Sequence, residues 1–374
     1  MSWSWKLGRV AGIPIYVHWT FVILMVWIVA AGTIAGGGLE EGLRQGGFVL
    51  ALFGCVVLHE FGHALTARRF GVPTSDITLL PIGGVARLQR IPENPVQELL
   101  VALAGPAVNV VIVAILWGIF GVRFPEASAD ADQVLHQGFW TKLLYVNVFL
   151  AAFNMLPAFP MDGGRALRAL LAMKLPYAQA TRVAATIGQM MAIAFGLFGL
   201  SAGAPLLLFI ALFVWIGAEA EAVQVAERAA LKGVPIRDAM LTDFHTLRPD
   251  DTLGQAAQLL LAGAQQDFPV LDDGEGPLVL TRPRLLAGLA ERGVDAPVRD
   301  FAIASAPAVD LDGPLGAAVA ALREKGATCA PVTRRGEVVG LLTLENVGEL
   351  LMVREALGKV GDGSVAPSAG EPVY

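Results

Sequence analysis

The sequence predicts a polytopic α-helical membrane domain of about six spans, followed by a smaller α/β unit built from a tandem repeat. Three observations carry that prediction. Of the 374 residues, 55% are hydrophobic and only 16% charged, with mean hydropathy +0.60, whereas a soluble domain carries roughly 25% charge. Apolar segments of spanning length are confined to the part before residue 225. The remainder is more polar and repeats itself at a fixed offset.

Length allows about two or three domains, with bounds at 1–225 for the membrane unit, 226–233 for a linker, 234–298 and 299–356 for the repeats, and 357–374 for a Gly/Ser/Pro-rich tail expected to be disordered. A formal net charge of −6 gives no support for nucleic-acid binding. Cys55 and Cys329 are far apart in regions of different character, so neither a disulfide nor a cysteine-based zinc motif is expected.

The spans fall at about 15–36, 47–67, 97–120, 139–157, 183–202 and 204–224. The start, with Lys6 and Arg9, resembles the charged region of a signal peptide, but its apolar segment exceeds the usual ~7–15 residues and reads as a retained first helix. Basic residues set the orientation. Lys6 and Arg9, then Arg68, Arg69, Arg87 and Arg90, then Arg165, Arg168, Lys174 and Arg182, then Arg228 and Lys232 share one side. The opposite loops hold Arg44 with Glu40 and Glu41, and Arg123 with Glu126, Asp130 and Asp132. Both termini and the repeat unit are therefore expected in the cytoplasm, with the lipid bilayer around the first unit.

His59-Glu60-Phe61-Gly62-His63 lies inside the second segment. Two imidazoles at i and i+4 share one helix face and suit Zn²⁺, with the glutamate beside them as a base. His63 stands five residues before Arg68, roughly 7–8 Å from the basic boundary at 1.5 Å per residue. Each ionisable group at that depth costs about 2.5–3.5 kcal/mol, so four together cost on the order of 10 kcal/mol. A bound structural zinc contributes about 10–16 kcal/mol and offsets that.

A catalytic zinc needs a third protein ligand and an open position. The candidates are His18, His136, Glu98 and Asp162. His136 and Glu98 lie near membrane edges and read as solvated, and His18 reads as interfacial. Asp162 stands in the Pro/Gly-rich break Leu156-Pro157-Ala158-Phe159-Pro160-Met161-Asp162-Gly163-Gly164 and is the best choice. Irregular backbone at membrane depth needs cover from protein or water, which makes the break a candidate site itself. Its simpler reading is a helix cap. Cys55, one turn before His59, reads as packing.

These residues resemble the site-2 proteases, zinc intramembrane proteases. The likeness rests on His59-Glu60-Phe61-Gly62-His63, on Asn154-x-x-Pro157-x-x-Pro160-Met161-Asp162-Gly163-Gly164, on Gly83-Gly84-Val85-Ala86, and on Ala104-Gly105-Pro106-Ala107-Val108-Asn109. The resemblance implies one zinc held by His59, His63 and Asp162 between spans two and four, with Glu60 as general base. It implies that Asn154 meets the substrate carbonyl or oxyanion. The segment 77–90, with Gly83 and Gly84 at its turn and Val85 beyond, resembles the family's re-entrant hairpin, whose edge could hold an unwound substrate by strand addition. The implied substrate is a single-span regulatory membrane protein. Only 98 residues separate His63 from Asp162, which leaves no room for an inserted PDZ domain.

In the polar third, Pro235-Ile236-Arg237-Asp238 recurs 62 residues later as Pro297-Val298-Arg299-Asp300. Leu253-Gly254 recurs as Leu315-Gly316, Pro269-Val270 as Pro331-Val332, and Thr281 as Thr343. Each unit reads as a strand, a helix, a strand pair and a second helix, and the pair resembles a tandem CBS module. That resemblance implies a regulatory appendage, a surface for homodimerisation, or an adenine nucleotide site. Nucleotide-binding pairs place an aspartate three residues after a Thr or Ser. Here Arg284 follows Thr281 and Asn346 follows Thr343, so both aspartates are missing and nucleotide binding stays open. The rival to a protease is a CBS-regulated ion transporter or channel. Repeated halves and charges spread along a path would mark a transporter, and the membrane part has neither.

Overall fold

The computed structural model describes residues 3–81, 83–88, 94–122, 138–263, 265–271, 278–304 and 308–361. Arg90, the acidic loop with Arg123 and His136, and the tail beyond Gly361 lie outside them. The chain divides into two compact units, Met1–Val225 and Ala226–Tyr374.

The first unit opens on two strands, β1 (Ser4–Val10) and β2 (Ile13–His18), ahead of helix α1 (Trp19–Gly32). The expected first span therefore begins four residues late. Ile13, Ile15 and Val17 alternate along β2, and Ile15 pairs in parallel with Ile77 of β3 (Thr74–Leu80). β-branched residues at period two suit a pleated strand better than a helix turn. The sheet runs β1-β2-β3-β4, with β4 at Gly83–Leu88. His18 caps α1, its ring accepting from Thr20 N–H at 3.4 Å.

After a kink at Gly36, α2 (Gly38–Arg69) runs for 32 residues. Glu40 and Glu41 in its first turn and Arg68 and Arg69 in its last complement the helix dipole. α3 (Pro95–Gly118) starts on Asn94, whose side chain accepts from Val96 N–H and Gln97 N–H. Then come α4 (Phe139–Asn154), α5 (Asp162–Ala172), α6 (Tyr177–Ser201) and α7 (Pro205–Leu231). Among the described residues, four helical stretches are long and apolar enough to cross a membrane: Trp19–Arg69, Pro95–Gly118, Tyr177–Ser201 and Pro205–Leu231. The first spans the kink and holds both α1 and α2, and α4 has 16 residues.

The second unit begins within α7. Its elements are β5 (Met240–Leu241), α8 (Leu253–Ala262), β6 (Phe268–Val270), β7 (Leu278–Leu280), α9 (Arg282–Arg292), β8 (Ile303–Ala304), β9 (Val309–Asp310), α10 (Leu315–Lys325), β10 (Cys329–Arg334), β11 (Glu337–Thr343) and α11 (Leu344–Gly361). The repeat is visible in the packing. Ile236 and Val298, Leu253 and Leu315, Val270 and Val332, and Leu280 and Leu342 are 62 apart and buried in equivalent positions of two cores. The repeats also exchange strands. Leu241 of β5 pairs with Leu341 of β11, and Ile303 of β8 pairs with Val279 of β7. Neither sheet is complete without the other repeat.

Candidate active site

One face of α2 carries His59 and His63 into the protein, each 6% exposed. Asp162, at the first position of α5, turns its carboxylate to meet them. Oδ2 of Asp162 lies 3.1 Å from Nε2 of His59 and 3.1 Å from Nε2 of His63, and the two Nε2 atoms are themselves 3.1 Å apart. The cap position belongs to Met161, so the simpler reading of Asp162 as a helix cap does not hold.

The other ring nitrogens show what this triangle wants. His63 Nδ1 is 2.7 Å from the carbonyl oxygen of Val101, and His59 Nδ1 is 2.6 Å from Asn109 Oδ1. Oxygens at that distance accept, so each imidazole keeps its proton on Nδ1 and presents a bare Nε2 lone pair. Two lone pairs and a carboxylate oxygen then face one another in a buried space. Without a cation between them they repel. A tetrahedral set with bonds of about 2.0–2.1 Å has ligand atoms roughly 3.3 Å apart, close to the observed spacing. Among the described residues this is the one His/Cys/Asp/Glu group able to converge on a metal ion.

Small residues let the helices come this close. A Cβ at Gly105 of α3 would lie 2.2 Å from His63 Nε2 and 2.7 Å from His59 Nε2. A Cβ at Gly62 of α2 would lie 2.6 Å from the Ala104 carbonyl oxygen. Backbone approach through such small residues is the usual way apolar helices pack in lipid. The helix that Gly62 admits this closely is α3. Cys55 packs with Leu116, Leu143 and Leu144, as expected.

Glu60, next to His59 in the chain, reaches β4, where its Oε2 accepts from the Ala86 N–H at 3.2 Å. Ala86 thus turns its N–H away from β3, and strand alternation turns the backbone groups of Gly84 to the same edge. Gly84 lies close to Glu60, with Cγ 3.0 Å from where a Cβ would be.

Residues 47–136 and 121–195 match Peptidase family M50, and residues 236–280 and 298–352 match the CBS domain. The zinc metalloprotease MJ0392 of Methanocaldococcus jannaschii is 34% identical over 74% of this chain and 77% of its own length. Rip3 of Mycobacterium tuberculosis is 30% identical over 93% of this chain and 92% of its own. The chain belongs to peptidase family M50, the site-2 proteases. A solved structure, the site-2 protease from Methanocaldococcus jannaschii, is 37% identical and covers 59% of this chain and 95% of that one, at a TM-score of 0.43. The chain thus joins a site-2 protease unit, with helices long and apolar enough to cross a membrane, to a pair of CBS domains.

Other residues singled out in the sequence are placed as follows. Asn154 is the last residue of α4 and half-buried, eight positions before Asp162. Gly83, Gly84 and Val85 open β4, the edge strand nearest Glu60. Glu98 is not solvated: it is 3% exposed, and its Oε1 accepts from Arg168 Nε at 2.8 Å. Arg168, expected among the basic residues of the cytoplasmic side, is completely buried and also pairs with Glu221. The single sequence cannot show that partnership, since Glu98 and Glu221 stand 70 and 53 positions from Arg168. Asn109 stands in a quoted motif without a role and proves to be the partner of His59. In the CBS pair, a cavity of about 270 Å³ is lined by Gln265, Asp267, Arg282, Thr328, Thr343 and Asn346, among others. There the Thr343 hydroxyl is 2.7 Å from Asn346 Oδ1. Thr281 stands at the N-terminal cap position of α9 without a capping hydrogen bond from its side chain, and Arg284 lies exposed on that helix.

Proposed function

We propose that this protein is an intramembrane zinc endopeptidase, hydrolysing a peptide bond in or near a transmembrane segment of a membrane-anchored regulatory protein. The observation that carries the reading is the convergence of His59, His63 and Asp162 at 3.1 Å, the two histidines on a helical stretch of membrane character, with Glu60 next to His59 in the chain. Names of relatives supply the metal: MJ0392 is called a zinc metalloprotease. Zinc, one per chain, would be held by the two Nε2 atoms and Asp162, and when bound supplies Lewis-acid chemistry, acidifying water and polarising a carbonyl.

The chain's own groups do the rest. Glu60 takes the proton from the attacking water and returns it to the leaving amine. Asn154 donates its side-chain N–H to the scissile carbonyl as charge develops there. The free edge of β4 at Gly83, Gly84 and Val85 receives the unwound substrate as an added strand, which exposes peptide bonds that a helix would keep covered. Six spans, with both termini and the CBS pair in the cytoplasm of a cell-membrane protein, follow from the basic loops. The CBS pair modulates the protease, dimerises it with a second copy, or both. Calorimetry with ATP and AMP tests for a nucleotide in its cavity, and no heat removes that ligand.

The deciding experiment replaces Glu60 with Gln. The variant should keep its zinc by elemental analysis while losing about 10²–10⁴-fold in cleavage of a single-span substrate. Retained proteolysis overturns the assignment of the base. Absence of zinc from the unaltered protein, purified without chelator, overturns the whole reading.

A further inference from the structure

His59 is connected to α3 and then to α4 by a chain of side-chain hydrogen bonds. Its Nδ1 lies 2.6 Å from Asn109 Oδ1, Asn109 Nδ2 donates to Asn147 Oδ1 at 2.9 Å, and Asn147 Nδ2 donates to the Leu143 carbonyl oxygen at 2.8 Å. Both asparagines are fully buried. Asn147 sits within apolar α4, where a polar side chain is costly and marks a role. Neither ligation nor proton transfer as described above uses it.

The direction of this chain is determined at its far end. A carbonyl oxygen has no proton, so Leu143 can only accept, and Asn147 must turn its NH₂ there. The Asn147 oxygen then faces Asn109, which answers with its own NH₂. Only the Asn109 oxygen is left for His59, and an acceptor at that place holds the imidazole proton on Nδ1. His63 has no need of such a chain, because its Nδ1 meets the Val101 carbonyl oxygen directly.

We infer that Asn147, acting through Asn109, is a positioning residue that sets the tautomer of His59 for metal binding. An amide can turn over. With Asn109 reversed, an NH₂ would face Nδ1, the proton would move to Nε2, and His59 would aim an N–H where a lone pair is needed. Asn147 removes that alternative. Partners of metal-ligating histidines contribute about 10–100-fold in affinity. This inference rests on the metalloprotease reading above, so its test measures metal binding and tautomer in place of cleavage.

Full-length protein in nanodiscs is titrated with zinc against a competing chelator. Asn147→Leu, with the same branching and heavy-atom count but no polar atoms, should bind about tenfold more weakly. Adding Asn109→Asp should restore affinity to within about threefold, because a carboxylate offers an acceptor whichever way it turns. A purely structural role for Asn147 predicts no such rescue. Unchanged affinity in Asn147→Leu overturns the inference, and so does a weakened variant that Asn109→Asp does not rescue. A readout that needs no variant is ¹⁵N–histidine NMR of the chelated wild-type protein, where His59 should carry its proton on Nδ1. A proton on Nε2 overturns the inference even if every variant misfolds. Failure of the wild-type protein to bind zinc at all is a different result and sinks the parent reading.

Discussion

Arg168 and Glu98 form an ion pair with no access to water: Nε to Oε1 is 2.8 Å, and the two residues are 0% and 3% exposed. Arg168 rides on α5, whose first residue is Asp162, and Glu98 on α3, which carries Gly105 and Asn109. Glu221 of α7 and the Tyr177 hydroxyl of α6 join the pair, and the guanidinium stands 5.0 Å from the ring centres of Phe159 and Tyr177. The cluster thus ties four helices at the base of the site. Removing one partner of such a pair strands a buried charge, at about 3–5 kcal/mol. Arg168→Leu should therefore unfold markedly earlier in thermal melts of the solubilised protein. Adding Glu98→Gln should recover part of the loss, since a neutral amide is cheaper to bury than a carboxylate. No recovery would mean that packing, not charge, holds α5.

A methyl group at position 105 tests the closeness of α3 to the imidazoles. It would sit 2.2 Å from His63 Nε2, far inside the roughly 3.5–4.0 Å of comfortable contact. Either His63 rotates away or the helices part, and both destroy the converging lone pairs. Gly105→Ala should lower bound metal to background by elemental analysis. Full occupancy in that variant would show that the helices separate more easily than their packing implies.

The meeting of His59, His63 and Asp162 was legible because it depends on local rules: helix spacing for the first two, and an unexplained carboxylate in a Pro/Gly break for the third. The repeat was legible because both halves share one register. The N-terminal strands were not, since Ile15-Tyr16-Val17 is apolar enough to extend a helix and only pairing with Ile77 to Leu79 of β3 decides otherwise. Glu98 and Arg168 were misread for a related reason. Each stands near the edge of an apolar segment and reads as solvated alone, and only the tertiary fold brings them together. Asn147 gave a signal that went unused, a lone amide inside an apolar helix.

Cys329 in β10 offers a test in the CBS pair. Burial beside Val279 and Leu341, with the Asp267 carboxylate adding to it, pushes its thiol up to about 12. A free thiol titrates near 8.5. The thiol form is thus favoured in the folded state, and the sign follows. This contribution to stability is complete below about pH 8.5 and is lost as pH rises toward 12. At pH 8 the native protein should label at Cys329 far more slowly with iodoacetamide than the urea-unfolded chain, by peptide mass analysis. Equal rates would mean that the strand opens readily.

The hydrogen bond from Ala86 N–H to Glu60 Oε2 couples the proposed base to the proposed substrate edge. That N–H is not used in the pairing of β3 with β4, so Ala86→Pro removes a donor without cutting the ladder. Hydrogen bonds to a charged group contribute about 1.5–3 kcal/mol. If the bond holds Glu60 toward the edge where substrate adds, its loss should lower kcat/KM by roughly 10–100-fold at 1.4 kcal/mol per decade. Zinc content should stay unchanged, because the imidazoles and Asp162 are held from α3 and α5. A fall in zinc together with activity would instead place the hairpin in support of the metal site. Unaltered cleavage would show that neither Glu60 nor the incoming strand depends on this edge.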